Sequence, residues 1–132
     1  MLGSGVLLLA VIRLAIDRPI NRRLNNLLDE KTNPSADIRC VCMIRKDVLS
    51  EPGVAQVLNG ELFVWGLTGD MTRVRLDQVD VTKVRWNRFC LGQYGWWRKT
   101  MFYMDIPNVG RLVLGVDEPK PWRGVFRLST KN

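Results

Sequence analysis

The sequence predicts a mainly β domain with an N-terminal helix: a small barrel or sandwich of seven strands closed by a short C-terminal helix. Three observations carry that expectation. From residue 37 onward apolar residues recur with period two rather than three to four, as in Ile38, Cys40, Cys42 and Ile44. Asn59-Gly60 joins two such runs, and Asn-Gly suits a two-residue hairpin turn in which both central residues take positive φ. Before residue 37 the period is helical, with Ile16, Ile20, Leu24, Leu27 and Leu28 on one stripe and Arg18, Arg22, Arg23, Asn25 and Asn26 between them.

The elements follow in order. Residues 6–16 read VLLLAVIRLAI, and with residues 1–5 make about sixteen non-polar positions. At roughly 1.5 Å per residue these span about 24 Å, short of a hydrocarbon core of about 30 Å, so the segment is an undersized anchor. Its lipid-facing residues would be Val6, Leu7, Leu8, Leu9, Val11, Ile12, Leu14 and Ile16. Arg13, Arg18, Arg22 and Arg23 follow or end the run instead of preceding it. That order argues against a secretory signal and places the N-terminus outside and the remainder in the cytoplasm. Three cysteines, an odd number, are no disulfide framework. The chain therefore divides into a membrane-associated transmembrane or interfacial helix over 1–30, a linker over 31–36 and a β domain over 37–132. The competing reading of the amphipathic part is a helix packed on the domain itself. Strands are expected at 38–45, 54–58, 61–65, 72–76, 79–89, 101–106 and 111–116, and a short helix after Asp117-Glu118-Pro119-Lys120-Pro121.

Seven strands and a closing helix resemble the pleckstrin-homology-like barrel, including its GRAM and bacterial members. The resemblance covers residues 37–128 and rests on element order. Gly60-Glu61-Leu62-Phe63-Val64 resembles their short glycine-led strand, Arg75-Leu76-Asp77-Gln78-Val79 their polar step between strands, and Trp122 the tryptophan of their closing helix. Other small β-barrels and sandwiches remain the alternative.

The 132 residues carry 20 Lys and Arg against 13 Asp and Glu, a net charge of +7, and no histidine. A chain without histidine lacks the commonest general base, so no catalytic residue and no cofactor is assigned. Cys40, Cys42 and Cys90 lack a fourth ligand for structural zinc and read as small core residues, so no metal is assigned. Asp77 and Asp80 read as turn residues or arginine partners. Gly66-Leu67-Thr68-Gly69-Asp70 lacks the lysine and spacing of a phosphate loop.

The excess charge is concentrated. Residues 71–104 hold seven basic and two acidic groups, and arginine outnumbers lysine fourteen to six over the chain. If their strands are neighbours, Arg73, Arg75, Lys83 and Arg85 share an outer sheet face. Tyr94, Trp96, Trp97, Arg98 and Lys99 form an aromatic-cationic loop in which rings and cations suit a membrane boundary or a protein interface. The alternative for that segment is that Trp96 and Trp97 begin the next strand. The function expected is thus a non-enzymatic, membrane-anchored interaction module, an accessory or assembly subunit of a membrane complex. Its partners would be membrane lipid or membrane-protein subunits, with no small-molecule substrate, and nucleic acid is the alternative partner.

Overall fold

The computed structural model describes residues 19–46, 50–92 and 95–126, by their backbone alone over 90–92 and 95–97. Seven strands follow one helix: β1 (Ile38–Arg45), β2 (Ser50–Leu58), β3 (Glu61–Gly66), β4 (Met71–Arg75), β5 (Asp80–Gly92), β6 (Gly95–Ile106) and β7 (Gly110–Val116). The preceding helix, α1, covers 19–31, and a final one, α2, covers Pro119–Val125. The Asn59-Gly60 turn forms as its chemistry dictates, with φ of 54° and 76°, and brings Leu58 opposite Glu61.

The strand order is β1-β7-β6-β5-β2-β3-β4, and β1 also pairs with β2. All ladders are antiparallel except one parallel bridge, Ser50 to Gly92, between β2 and β5. The first and last strands are joined at Met43–Gly115, Ile44–Leu114 and Arg45–Val113. The inner face carries the core: Cys42, Ile44, Ala55, Val57, Leu62, Val64, Val74, Phe102, Met104, Ile106, Leu112, Leu114 and Val116. Period-two alternation is what delivers these residues to one side.

The expected mainly β domain of seven strands and a short closing helix forms, but not as a closed barrel. The sheet stays open, because β4 pairs only with β3 while β5 pairs with β6, leaving a gap between β4 and β5. The short 3-10 turn Leu76–Gln78 carries the chain across that gap without a ladder. In place of strand pairing, α2 supplies Trp122, 1% exposed, which joins the core and stacks on Phe126 at 5.8 Å. Pro119 and Pro121 both fall in the first turn of α2, where their missing N–H groups have no intrahelical partner to lose.

On the opposite face, Pro52, Val54 and Gln56 of β2 are buried although they point away from the core. Helix α1 explains this. Its Ile20 and Leu24 are buried, and they border a cavity of about 340 Å³ with Val41, Met43 and Pro52. Two polar contacts tie down the helix and the segment after it: Arg39 to Asp29 at 3.4 Å, and the Asn33 N–H donating to Gln56 Oε1 at 2.8 Å. The amphipathic stripe at Ile20 and Leu24 therefore packs on the domain. Among the described residues no helix is long and apolar enough to cross a membrane. The expected anchor, Val6, Leu7, Leu8, Leu9, Val11, Ile12, Leu14 and Ile16, lies outside the described residues.

Candidate anion-binding groove

Strand β5 is a basic strand with two irregularities. Its register against β6 shifts between Val81 and Lys83 and again between Arg85 and Arg88. Regular alternation from Lys83 and Arg85 would next bring Asn87 to the outer face. Instead Trp86 and Asn87 together span the single residue Thr100, since Arg85 pairs with Met101 and Arg88 with Lys99. Asn87 takes φ of 51°, a conformation asparagine tolerates better than most residues, and its N–H donates to Thr100 Oγ1 at 3.4 Å. The extra residue resets parity, so Lys83, Arg85 and Arg88 all lie on the outer face. Val84 remains on the core side, and Trp86 is half-buried beneath Arg123 of α2 at 5.0 Å.

Across from them stands Tyr103. Lys83 Nζ and the Arg85 guanidinium each lie 6.0 Å from its ring centroid. Arg45 reaches the same ring from β1, at 5.6 Å, with its Nη2 donating to the phenol oxygen at 3.5 Å. It arrives there because β1 pairs with β7 and β7 with β6, so that Val113 bridges Arg45 and Tyr103. The phenol ring draws cations to its π-face, at about 0.5–1 kcal/mol for an exposed contact, but leaves their charge uncompensated. Gly115 keeps the floor clear: a Cβ there would meet Met101 Sδ at 2.9 Å and Met43 Cβ at 3.3 Å. Met43, Met101 and Val113 form the small apolar cluster beneath.

These side chains enclose a groove of about 480 Å³, lined by Arg45, Arg85, Arg88 and Arg98 together with Asn87, Phe89, Met101 and Tyr103. Arg98 lies over the Phe89 ring at 4.5 Å, and Phe89 is 67% exposed. Among the described residues, no carboxylate lies within ion-pair distance of Arg45, Lys83, Arg85, Arg88 or Arg98. The face turns acidic only beyond Tyr103, where Asp80 and Asp105 pair in register and Arg111 stands 4.0 Å from Asp105. The described face is therefore graded, acidic at Asp80 and Asp105 and basic from Lys83 and Arg85 to Arg88 and Arg98.

The other basic residues singled out from sequence are differently placed. Arg73 and Arg75 lie on β4, and β4 and β5 are not neighbours, so the four cations do not share one patch. Arg73 bonds both oxygens of Glu61, at 2.6 and 3.0 Å, and stacks on Phe63. That hydrogen bond holds the Glu61 carboxyl below the usual carboxylate range and pushes Arg73 further up. Arg75 pairs with Asp77 at 2.7 Å. Lys99, its side chain only 12% exposed, pairs with Asp117 at 2.5 Å. The expected loop is mostly strand: Leu91 and Gly92 end β5, and Gly95 to Lys99 open β6, so the strand alternative for Trp96 and Trp97 is the one adopted. Their aromatic side chains favour a pleated backbone, and Gly92 and Gly95 pair with each other at the ends of β5 and β6. Tyr94 lies outside the described residues, as do the side chains of Trp96 and Trp97.

Arg88 and Tyr103 were not singled out from sequence. Arg88 is hidden by the bulge, whose one local signal is an asparagine inside a strand. Arg45 and Tyr103 meet only through the β1–β7–β6 ladder. Cys40 and Cys42 both face the core, where burial raises the Cys40 thiol to about 11, partly offset by the Trp122 indole, and raises Cys42 as well. The groove thus offers guanidinium forks, a phenol and an amide around a concave surface, a set that holds anions. Comparison with protein-family models, curated proteins and solved structures finds no match.

Proposed function

We propose that the protein is a non-enzymatic, membrane-anchored interaction module, an accessory or assembly subunit of a membrane complex. It docks its basic outer sheet face on an anionic membrane surface at the cytoplasmic side. One observation carries the reading: among the described residues the cations around Tyr103 have no carboxylate partners, whereas Arg73, Arg75 and Lys99 have theirs. Crowding like charge on one sheet face costs free energy in the isolated domain, and an anionic counterpart offsets it. The apolar run over 6–16, followed by arginines, supports attachment through the N-terminus with the β domain on the cytoplasmic side. A pleckstrin-homology-like relationship fits the order of seven strands and a closing helix with a buried tryptophan.

Co-sedimentation of the full chain with lipid vesicles tests this. Binding to phosphatidylcholine vesicles should tighten when phosphatidylserine is added. Lys83→Glu and Arg85→Glu should each weaken the anionic-vesicle binding at least about fivefold, from roughly 1 kcal/mol per cation near such a surface. Equal binding to neutral and anionic vesicles, unchanged by both substitutions, overturns the reading. Vesicle indifference combined with oligonucleotide binding that falls steeply with salt would establish the nucleic-acid alternative instead.

A further inference from the structure

We infer that α1 is a releasable helix, seated on β1 and β2 in the state described, which exchanges that seat for the interface of an anionic bilayer. The inference rests on the docking reading above and adds a moving element to it. The seat is imperfect. Ile20 and Leu24 are buried, but Leu27 and Leu28 on the same stripe are only half-buried, and a cavity of about 340 Å³ lies beside Ile20 and Leu24. A helix that leaves such a space forfeits packing contacts that a full interface supplies. At its other end Arg39 meets Asp29 at 3.4 Å, and the Asp29 side chain is 78% exposed, so the pair contributes little. The Arg39 Nε is buried without a hydrogen-bond partner among the described residues, a donor that water satisfies once the helix lifts.

The sheet beneath does not depend on α1. Strand β1 pairs with β2 residue for residue, from Ile38–Val57 to Arg45–Ser50. The connecting segment is fixed separately, by the Asn33 N–H on Gln56 Oε1 at 2.8 Å and the Asp37 N–H on the Val57 carbonyl at 2.9 Å. A pivot before Asn33 therefore frees the helix and leaves the β domain intact. Burial of Met43, Pro52 and Val54 is what keeps α1 seated in water. A bilayer offers the stripe more, since lipid buries all four apolar residues where the sheet fully buries two. Arg22 and Arg23 are exposed, and among the described residues neither lies within ion-pair distance of a carboxylate. Anionic headgroups therefore add an attraction that the seat lacks. The apolar run over 6–16 precedes the helix and, in the docking reading, holds it within reach of the surface.

Vesicle co-sedimentation of full-chain variants tests this, because substitutions in the seat and in the helix should act with opposite signs. Val41→Asn weakens the seat and should tighten binding to mixed phosphatidylcholine and phosphatidylserine vesicles about fivefold. Leu24→Asn spoils the stripe in both positions and should weaken that binding about fivefold. Arg39→Gln is a second seat variant, outside the core. It removes a positive charge, which by electrostatics alone weakens binding, yet by freeing Asp29 it should tighten binding about twofold. Thermal melting establishes that Val41→Asn still folds; if it does not, Arg39→Gln decides the outcome. Binding by the folded seat variants that equals or falls below the parent's overturns the inference, while the parent's preference for anionic vesicles leaves the docking reading in place. Indifference of the parent protein to vesicle charge removes the docking reading itself.

Discussion

Cys40 and Cys42 sit two residues apart on β1 with both thiols directed into the core. Desolvation penalises their thiolates, so Cys40 titrates near 11 and Cys42 is also raised. The unfolded chain begins to release these protons near 9, and the folded chain holds them to higher pH. Between those limits the unfolded state binds fewer protons, so stability falls as pH rises, by up to about 1.4 kcal/mol per pH unit for each thiol. Urea midpoints measured from pH 8 to 10.5 should decline, and Cys42→Ala should flatten the decline while lowering stability at pH 8. A pH-independent midpoint in the parent protein would place the thiols outside the core. The cysteines' alternation with Arg39 already pointed inward, because alternation is local and burial follows from it.

At the scale of elements, the bulge in β5 decides which side chains reach the groove. Asn87 adopts φ of 51°, and a β-branched residue there is strained by roughly 1–2 kcal/mol. Asn87→Val should therefore destabilise the domain by about that much, whereas Asn87→Gly should stay within about 0.5 kcal/mol; chemical denaturation distinguishes them. Equal effects would mean the positive φ is not required. The Asn59-Gly60 hairpin was legible because two adjacent residues determine the turn. The outer-face membership of Lys83 and Arg85 was legible by alternation. Arg88 was not, since one inserted residue reverses parity for everything beyond it. The segment from Gly92 to Lys99 misled because glycine signalled a loop while Trp96 and Trp97 favoured a strand.

Across the whole molecule, pairing order is the property that local patterns leave open. Nothing in residues 71–85 states that β4 ends as an edge and that β5 turns away to β6, yet this separates Arg73 and Arg75 from Lys83 and Arg85. The same opening makes α2 a structural necessity, since Trp122 fills the core where no strand closes it. Trp122→Ala should cost about 3–5 kcal/mol, enough to threaten a domain of this size. Thermal unfolding should show a large loss, and a shift of only a degree or two would mean that α2 is dispensable. The N-terminal stripe shows the same limit from the other side. Its helical period was readable, but that Ile20 and Leu24 pack against the β1–β2 face required the fold.

The join between the first and last strands sets a schedule for synthesis. Met43, Ile44 and Arg45 find their partners only at Gly115, Leu114 and Val113. At roughly 5–20 residues per second, several seconds separate their emergence from the ribosome. During that interval β1 to β4 can assemble as a meander, but the edge of β1 and the pocket for Trp122 stay unfilled. The apolar N-terminus has by then long left the exit tunnel. The cationic groove, built from β1, β5 and β6, therefore comes into existence only after most of the chain has been made, and any contact the N-terminal segment makes can precede it.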